Sequence, residues 1–323
     1  MELTFLGTGS AMPTRQRNVS ALALRLPERR ELWLFDCGEA TQHQLLRTPL
    51  RPPQIRRIFV SHLHGDHLYG LPGLLTSLSM LGVETPVDVY GPSGLGDVIA
   101  VTLRAAQAGC TYPLHVHELA PGVVVDEGDG DGDGEGALRV RCLPLAHGVP
   151  CFGFRVEESA RPGKLDAARA ADLGVVSGPD LGTLKRGGTV ILAGGREVRG
   201  ADLVAPPVPG RVLAICGDTS PCDAAVELAR DADLLVHEAT FGERRREMAA
   251  ERGHSTAAQA AEVARRAGAA RLVITHFSAR YQQDGDETVD DLLAEARAVF
   301  PHTEAAHDLL TLAIPRRAAP PSR

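Results

Sequence analysis

The stretch Ile55-Arg56-Arg57-Ile58-Phe59-Val60-Ser61-His62-Leu63-His64-Gly65-Asp66-His67 decides how this chain is read. Its first half is a β-branched and aromatic run that predicts a strand. Its second half holds four potential metal ligands: His62, His64, Asp66 and His67. A strand that ends in a tight loop turns such side chains toward one point, and imidazole with carboxylate suits zinc. Gly65 is read as giving the backbone freedom where these ligands converge. One cluster supplies too few donors for two well-held ions, so more are expected just beyond later strands. His147 follows the run Arg139–Ala146, Asp218 follows Val212–Cys216, and His276 follows Arg271–Thr275. Each alone reads as an ordinary polar residue; three at the same structural place read as ligands.

Working outward, β-like runs at Glu2–Thr8, Val19–Leu26 and Glu31–Gly38 open the chain, and Glu39–Arg47 is helix-like. Strand-like and helix-like segments then alternate: Leu71–Leu81, Val87–Pro92 and Leu95–Gln107, and, after residue 210, Asp223–Ala232, Leu234–Ala239, Thr256–Gly268 and Arg271–Phe277. That pattern predicts an α/β layered architecture with helices outside sheets. Two segments interrupt it. Gly128–Gly136 alternates Gly with acids and is read as a solvated hairpin tip. It is not read as a calcium loop, because the twelfth position from Asp129 is Val140, where a bidentate Glu is needed. Residues 157–209 are rich in Gly, Pro and charges, show no sustained apolar face, and are read as an inserted arm. From Arg155 to Arg211 there are nine basic residues against seven acids, a mildly basic balance in an acidic chain.

The formal net charge of −7 looks wrong for a nucleic-acid enzyme, since phosphate binding needs Lys and Arg. Its distribution removes the objection: six acids fall within 126–135, while residues 1–57 carry nine Arg against five acids. Only 4% of residues are aromatic, so base stacking is not expected to dominate any RNA contact. The six Cys form no CxxC pair, and Met1–Ser10 has neither a basic nor an apolar leader region, which predicts a reduced, cytoplasmic protein. No apolar run reaches the ~18–20 residues of a membrane-spanning helix.

The HxHxDH run with its three downstream donors resembles the metallo-β-lactamase superfamily. Further segments are similar to the ribonuclease Z family within it: Phe5-Leu6-Gly7-Thr8-Gly9-Ser10, Pro13-Thr14-Arg15-Gln16-Arg17-Asn18, His237-Glu238-Ala239-Thr240, His254-Ser255-Thr256 and Thr275–Tyr281. The resemblance covers nearly the whole chain and implies one metallo-β-lactamase domain over 1–323, an αββα sandwich, with 157–209 as an inserted flexible exosite arm that grips transfer RNA. It implies two zinc ions, replaceable by manganese or iron. One is held by His62, His64 and His147, the other by Asp66, His67 and His276, with Asp218 bridging. The implied reaction removes the 3′ trailer of precursor tRNA by attack of a metal-bridging hydroxide, leaving a 3′-hydroxyl and a 5′-phosphate.

Asp66 is expected to orient that nucleophile as well as bind metal. His254, oriented by Glu238, is the expected proton donor to the leaving oxygen. Arg15, Arg17 and Asn18, with Gly178, Pro179 and Lys185 of the arm, are the expected RNA contacts. Arg15 stands where the family usually has Lys, so a planar fork replaces a point charge. A homodimer, with RNA lying across the partner, is also implied. His43, His115, His117, His302 and His307 are assigned no ligand role. His115 and His117 alternate on a strand-like run with no matching donor evident, and His237 is expected to support the Glu238 loop. The competing readings are another hydrolase on this fold, such as a general zinc phosphodiesterase, and a noncatalytic RNA-binding relative, whose ligand set should have eroded.

Overall fold

The structure is a computed structural model that describes residues 1–128, 136–161, 163–281 and 286–317. The acidic stretch Asp129–Glu135, read above as a hairpin tip, lies outside the described residues. The chain starts with β1 (Glu2–Gly7), β2 (Ala21–Leu26), β3 (Glu31–Phe35), α1 (Thr41–Leu46), β4 (Ile55–Phe59), α2 (Gly65–Leu68), α3 (Leu71–Met80), β5 (Val87–Gly91), α4 (Leu95–Ala105) and β6 (Leu114–Glu118). There follow β7 (Gly122–Asp126), β8 (Leu138–Leu145), β9 (Cys151–Glu158), α5 (Ala167–Asp172), α6 (Pro179–Lys185), β10 (Thr189–Ile191) and β11 (Glu197–Arg199). The last part holds β12 (Val212–Ile215), α7 (Asp223–Ala229), β13 (Leu234–Glu238), α8 (Arg246–Glu251), α9 (Ala257–Ala267), β14 (Leu272–Thr275), α10 (Val289–Val299), β15 (Thr303–Ala305) and β16 (Thr311–Ala313).

Two compact units result: Met1–Val124 with Val140–Val156 and Val212–Ile314, and the described residues of Val125–Arg139, Glu157–Arg211 and Pro315–Arg323. The chain forms two 7-stranded sheets, ordered β16-β1-β2-β3-β4-β5-β6 and β15-β14-β13-β12-β9-β8-β7, built mainly from residues of the larger unit. Their inner faces meet through aromatic rings: Phe154 on β9 lies 5.6 Å from Phe35 on β3 and 5.4 Å from Phe59 on β4, between ring centroids. On the outer face of the first sheet, Leu34, Ile58 and Val89 pack with Leu45 of α1, Leu74 and Leu78 of α3 and Ile99 of α4. On the outer face of the second, Ala214, Leu235 and Ile274 pack with Leu228 of α7, Ala260 and Ala264 of α9 and Leu292 of α10. Helix, sheet, sheet and helix are thus stacked in that order, as the sequence pattern predicts.

Helix α9 shows why the local sequence folds this way. Ala257, Ala260, Ala261 and Ala264 recur at helical spacing and are all buried. Thr256 is its N-cap in a capping box with Gln259, and Gly268 closes it in the left-handed conformation at φ 66°. The neighbouring Ser255 hydroxyl does not cap the helix but donates to the Thr219 carbonyl at 2.7 Å.

The smaller unit has a core of its own, formed by Ala170, Val175, Leu184, Val190, Val198 and Leu203. Sequence shows no sustained apolar face there because each short element, α5, α6 or one strand of the β10-β11 pair, contributes only one or two residues to it. Glu158 and Arg211 join the two ends of the segment by a bidentate pair, 2.8 Å on each arm. Gly178, ahead of Pro179 at the start of α6, has φ 150° and ψ −156°, a region open essentially only to glycine.

Candidate metal centre

Parallel strands β3 and β4 in one sheet, and β12, β13 and β14 in the other, all end at the same edge of the sandwich. Ligands characteristically bind at such carboxyl-terminal strand ends. His62 to His67 follow β4, His147 follows β8, Asp218 follows β12 and His276 follows β14. The structure brings all seven sequence-predicted donors together. Ligand atoms of His62, His64, His147 and Asp218 lie within 4.8 Å of one another, as do those of Asp66, His67 and His276. Asp218 faces both groups: one oxygen is 3.7 Å from His62 Nε2, the other 3.5 Å from His67 Nε2 and 3.3 Å from His276 Nε2.

The imidazoles are held from behind, which fixes the nitrogen each one presents. His67 Nδ1 donates to Asp36 Oδ2 at 2.7 Å, His147 Nδ1 to the Gly253 carbonyl at 2.8 Å, and His276 Nδ1 meets Thr240 Oγ1 at 2.9 Å. His62 Nδ1 lies 3.0 Å from Ser61 Oγ, and that hydroxyl with its own backbone N–H is anchored on Asp36. Asp66 Oδ2 accepts from the Ala11 amide at 2.7 Å. Ala11, Asp36 and His276 all adopt positive φ, between 60° and 62°, a costly backbone state that tends to persist at functional sites. Burial, with the neighbouring imidazoles, pushes the His62 ring down to about 2, so it stays neutral with a lone pair to offer. Burial alone would raise the Asp218 carboxyl, but His276, His67 and His62 hold it well below its usual value. Imidazoles and carboxylates converging from opposite sides are the donor chemistry a pair of divalent cations requires.

Gly65 plays a different part from the one sequence assigns. Its backbone is ordinary helix at the start of α2, and a Cβ there would lie 2.3 Å from the ring of Tyr69, an exposed side chain that would have to turn.

Beside the metal ligands, Glu238 is fully buried at the end of β13. Its Oε1 accepts from His254 Nδ1 at 2.9 Å, the Ser255 amide at 3.0 Å and the Thr219 amide at 3.2 Å. Burial would lower the His254 pKa, but the hydrogen bond and charge of Glu238, joined by Asp218, raise it above 6.5. His237 is also buried and belongs to neither donor group, its Nδ1 2.7 Å from the Glu238 carbonyl oxygen.

A cleft of about 660 Å³ opens next to Phe277 and is lined by Arg15, Arg17, Asn18, Arg47, Tyr281 and Asp308 among others. Arg15 is exposed there and has no partner among the described residues. Arg17 and Asn18 are engaged inward. Arg17 Nη1 donates to Thr8 Oγ1 and the Ala306 carbonyl, with its guanidinium 4.7 Å above the Phe277 ring. Asn18 donates through its amide to Asp308 and through Nδ2 to the Glu39 carbonyl. Both therefore brace the loop that carries Arg15. Gly178, Pro179 and Lys185 lie in the smaller unit, with Lys185 exposed in the last turn of α6. The sequence reading missed Asp36, Thr240 and Asp308. Asp36 carries the same signal as the ligands, a polar residue just past a strand; Asp308, from the far end of the chain, carries none.

Comparison with known proteins gives this centre its family. Residues 203–277 match the family described as Beta-lactamase superfamily domain, and residues 1–105 match the one described as Anti-Pycsar protein Apyc1. A protein of Cyanothece sp. named Ribonuclease Z is 51% identical over 320 residues, covering 99% of this chain and 98% of its own length. The chain belongs to the ribonuclease Z family. A protein of Cronobacter sakazakii named Ribonuclease BN is likewise 51% identical, over 97% of this chain and all of its own. Among solved structures, human tRNase Z, short form, aligns with a TM-score of 0.68 at 33% identity, over 98% of this chain and 100% of that one. YhfI from Bacillus subtilis, at 18% identity and a TM-score of 0.64, shows the shared metallo-β-lactamase fold alone. Within the ribonuclease Z family, the metal-ligand groups found here support use of divalent metal ions.

Proposed function

We propose that this chain is a zinc-dependent endoribonuclease that removes the 3′ trailer from precursor tRNA, leaving a 3′-hydroxyl on the tRNA and a 5′-phosphate on the trailer. The observation that carries the reading is the single placement of two donor groups sharing Asp218 beside a His254 held by a buried Glu238. Family membership at about half identity over the full length supports the substrate. Five imidazoles against two carboxylates favour zinc, and the carboxylates leave manganese or iron as substitutes.

Two ions at this place, one with His62, His64 and His147, one with Asp66, His67 and His276, and both with Asp218, would supply Lewis acidity to water and to the phosphodiester oxygens. The side chains do the rest. Asp66, its Oδ2 anchored by the Ala11 amide, orients the attacking water and accepts its proton. His254, whose doubly protonated form is favoured by the Glu238 carboxylate on its Nδ1, presents a protonated Nε2 and donates that proton to the leaving ribose oxygen. Arg15, exposed in the cleft lining and without a partner among the described residues, is suited to a phosphate near the cut.

Residues 157–209 are taken as the arm that contacts tRNA, through α6 and its Gly178-Pro179 start. The reading includes a homodimer, for which the exposed Leu46, Tyr69, Met80 and Leu81 offer apolar surface. Six free cysteines fit a reducing cytoplasm, and no described helix is long and apolar enough to cross a membrane. The test compares a 3′-extended precursor tRNA with a small phosphodiester at equal enzyme and zinc. The proposal expects a far higher kcat/KM for the precursor; equal values would make the chain a general phosphodiesterase.

A further inference from the structure

Thr240 joins the two halves of the site. Its hydroxyl lies 2.7 Å from Glu238 Oε2 and 2.9 Å from His276 Nδ1, and all three side chains are buried. The proton on that hydroxyl has one destination. Glu238 is held in its ionised form and can only accept, so Thr240 Oγ1 donates to it. The same oxygen must then accept from His276, which places that ring's proton on Nδ1. His254 does not compete: its Nδ1 is 3.4 Å from Oγ1 but 2.9 Å from Glu238 Oε1, and its one Nδ1 proton goes to the carboxylate.

The consequence falls on the opposite edge of the His276 ring. With the proton fixed on Nδ1, Nε2 carries a lone pair, 3.3 Å from Asp218 Oδ1, 3.5 Å from Asp66 Oδ2 and 3.3 Å from His67 Nε2. Among the other ligands, His67 has a carboxylate behind it and His147 a backbone carbonyl, both of which can only accept. His276 alone of these three depends on a hydroxyl that could turn either way, and it is the Glu238 carboxylate that decides the direction.

We infer that Thr240 is the positioning residue that sets the tautomer of His276, and so the affinity of the Asp66, His67 and His276 subsite for its ion. The inference rests on the metal reading above. It implies that one buried carboxylate serves both the proton donor, directly, and a metal ligand, through Thr240.

Thr240→Val removes the hydroxyl with little change of shape and keeps the backbone amide that donates to Glu238 Oε2 at 2.9 Å. Thr240→Ser restores the hydroxyl. The full-length wild type and both variants are stripped of metal, titrated with zinc against a chromophoric chelator, and melted in the metal-free state. The wild type and the Ser variant should bind two ions per chain. The Val variant should bind one ion as the wild type does and the second about 10- to 100-fold more weakly, with an unchanged metal-free melting temperature. Two wild-type affinities in the Val variant, or a Ser variant as weak as Val, would overturn the inference. So would a Val variant that melts lower and loses both ions together, since that describes a structural role. A wild type that binds no pair of ions would instead bring down the metal reading itself.

Discussion

Glu238 occupies Nδ1 of His254 and leaves Nε2 for the proposed proton transfer, and that arrangement has a pH signature. A raised histidine pKa keeps a general acid protonated to higher pH, and its activity is lost as pH rises through the folded value, which here lies above 6.5. Replacing Glu238 with Gln removes the first-named cause of the rise. The alkaline limb of the kcat profile for precursor cleavage should therefore move to lower pH, with a rate loss of about 10²- to 10³-fold at neutrality. An unmoved limb would take His254 out of the acid role. At this scale the sequence was most informative about the ligands, since all lie in the segments that directly follow strands β4, β8, β12 and β14. It was least informative about Asp308, which fixes Asn18, Thr8 and Gln44 from near the end of the chain. Contacts between residues about 300 apart leave no local pattern. Arg17 shows the opposite case: its type and position suit RNA, but only the fold reveals that its guanidinium is turned onto Phe277.

Elements rather than residues hold the loop His254-Ser255 in place. Helix α9 begins at Thr256, whose hydroxyl accepts from the Gln259 amide and also donates to Glu243. Thr256→Ala should cost about 1 kcal/mol of unfolding free energy, read by chemical denaturation of the metal-free protein; an unchanged midpoint would mean the capping box contributes nothing. The alternation of strands and helices was legible because the apolar faces of α3, α4 and α9 are long enough to show their period. The elements of 157–209 were not, because three-residue strands and helices of six or seven residues carry too few turns for any period. That segment is tied by Glu158 and Arg211. Burial would raise the Glu158 carboxyl, but hydrogen bonds and charge from Arg211, with Arg316, hold it below its usual 4.5. A depressed carboxyl contributes stability that is complete above about pH 4.5 and is lost as pH falls through its folded value. Hydrogen exchange at the Glu158 amide, bonded to the Arg211 carbonyl at 2.9 Å, should accelerate in that acid window beyond its intrinsic pH dependence. Glu158→Gln should show the faster exchange already at neutral pH; wild-type protection in the variant would leave the pair without a structural role.

For the whole molecule, the proposed function puts chemistry in the larger unit and RNA capture in the smaller one. The acidic net charge is compatible with this division because only local positive potential is needed where RNA is held. Arg161 and Val208 face each other as an antiparallel bridge, so residues between them can be excised across a short gap. Such a deletion should raise KM for precursor tRNA by about 10-fold or more, flatten its salt dependence, and leave hydrolysis of a small phosphodiester near the wild-type rate. Equal losses on both substrates would mean that the segment supports the catalytic unit rather than the RNA. The claim on which the rest depends is that the His and Asp cluster cuts one phosphodiester bond at a defined place. It is tested most directly by incubating zinc-loaded protein with a 3′-extended precursor tRNA and mapping both product ends, with Asp66→Ala alongside. The account predicts a single cut giving a 3′-hydroxyl tRNA and a 5′-phosphate trailer, absent from the variant. An intact precursor, a ladder of single-nucleotide losses, or the same cut by Asp66→Ala would contradict it.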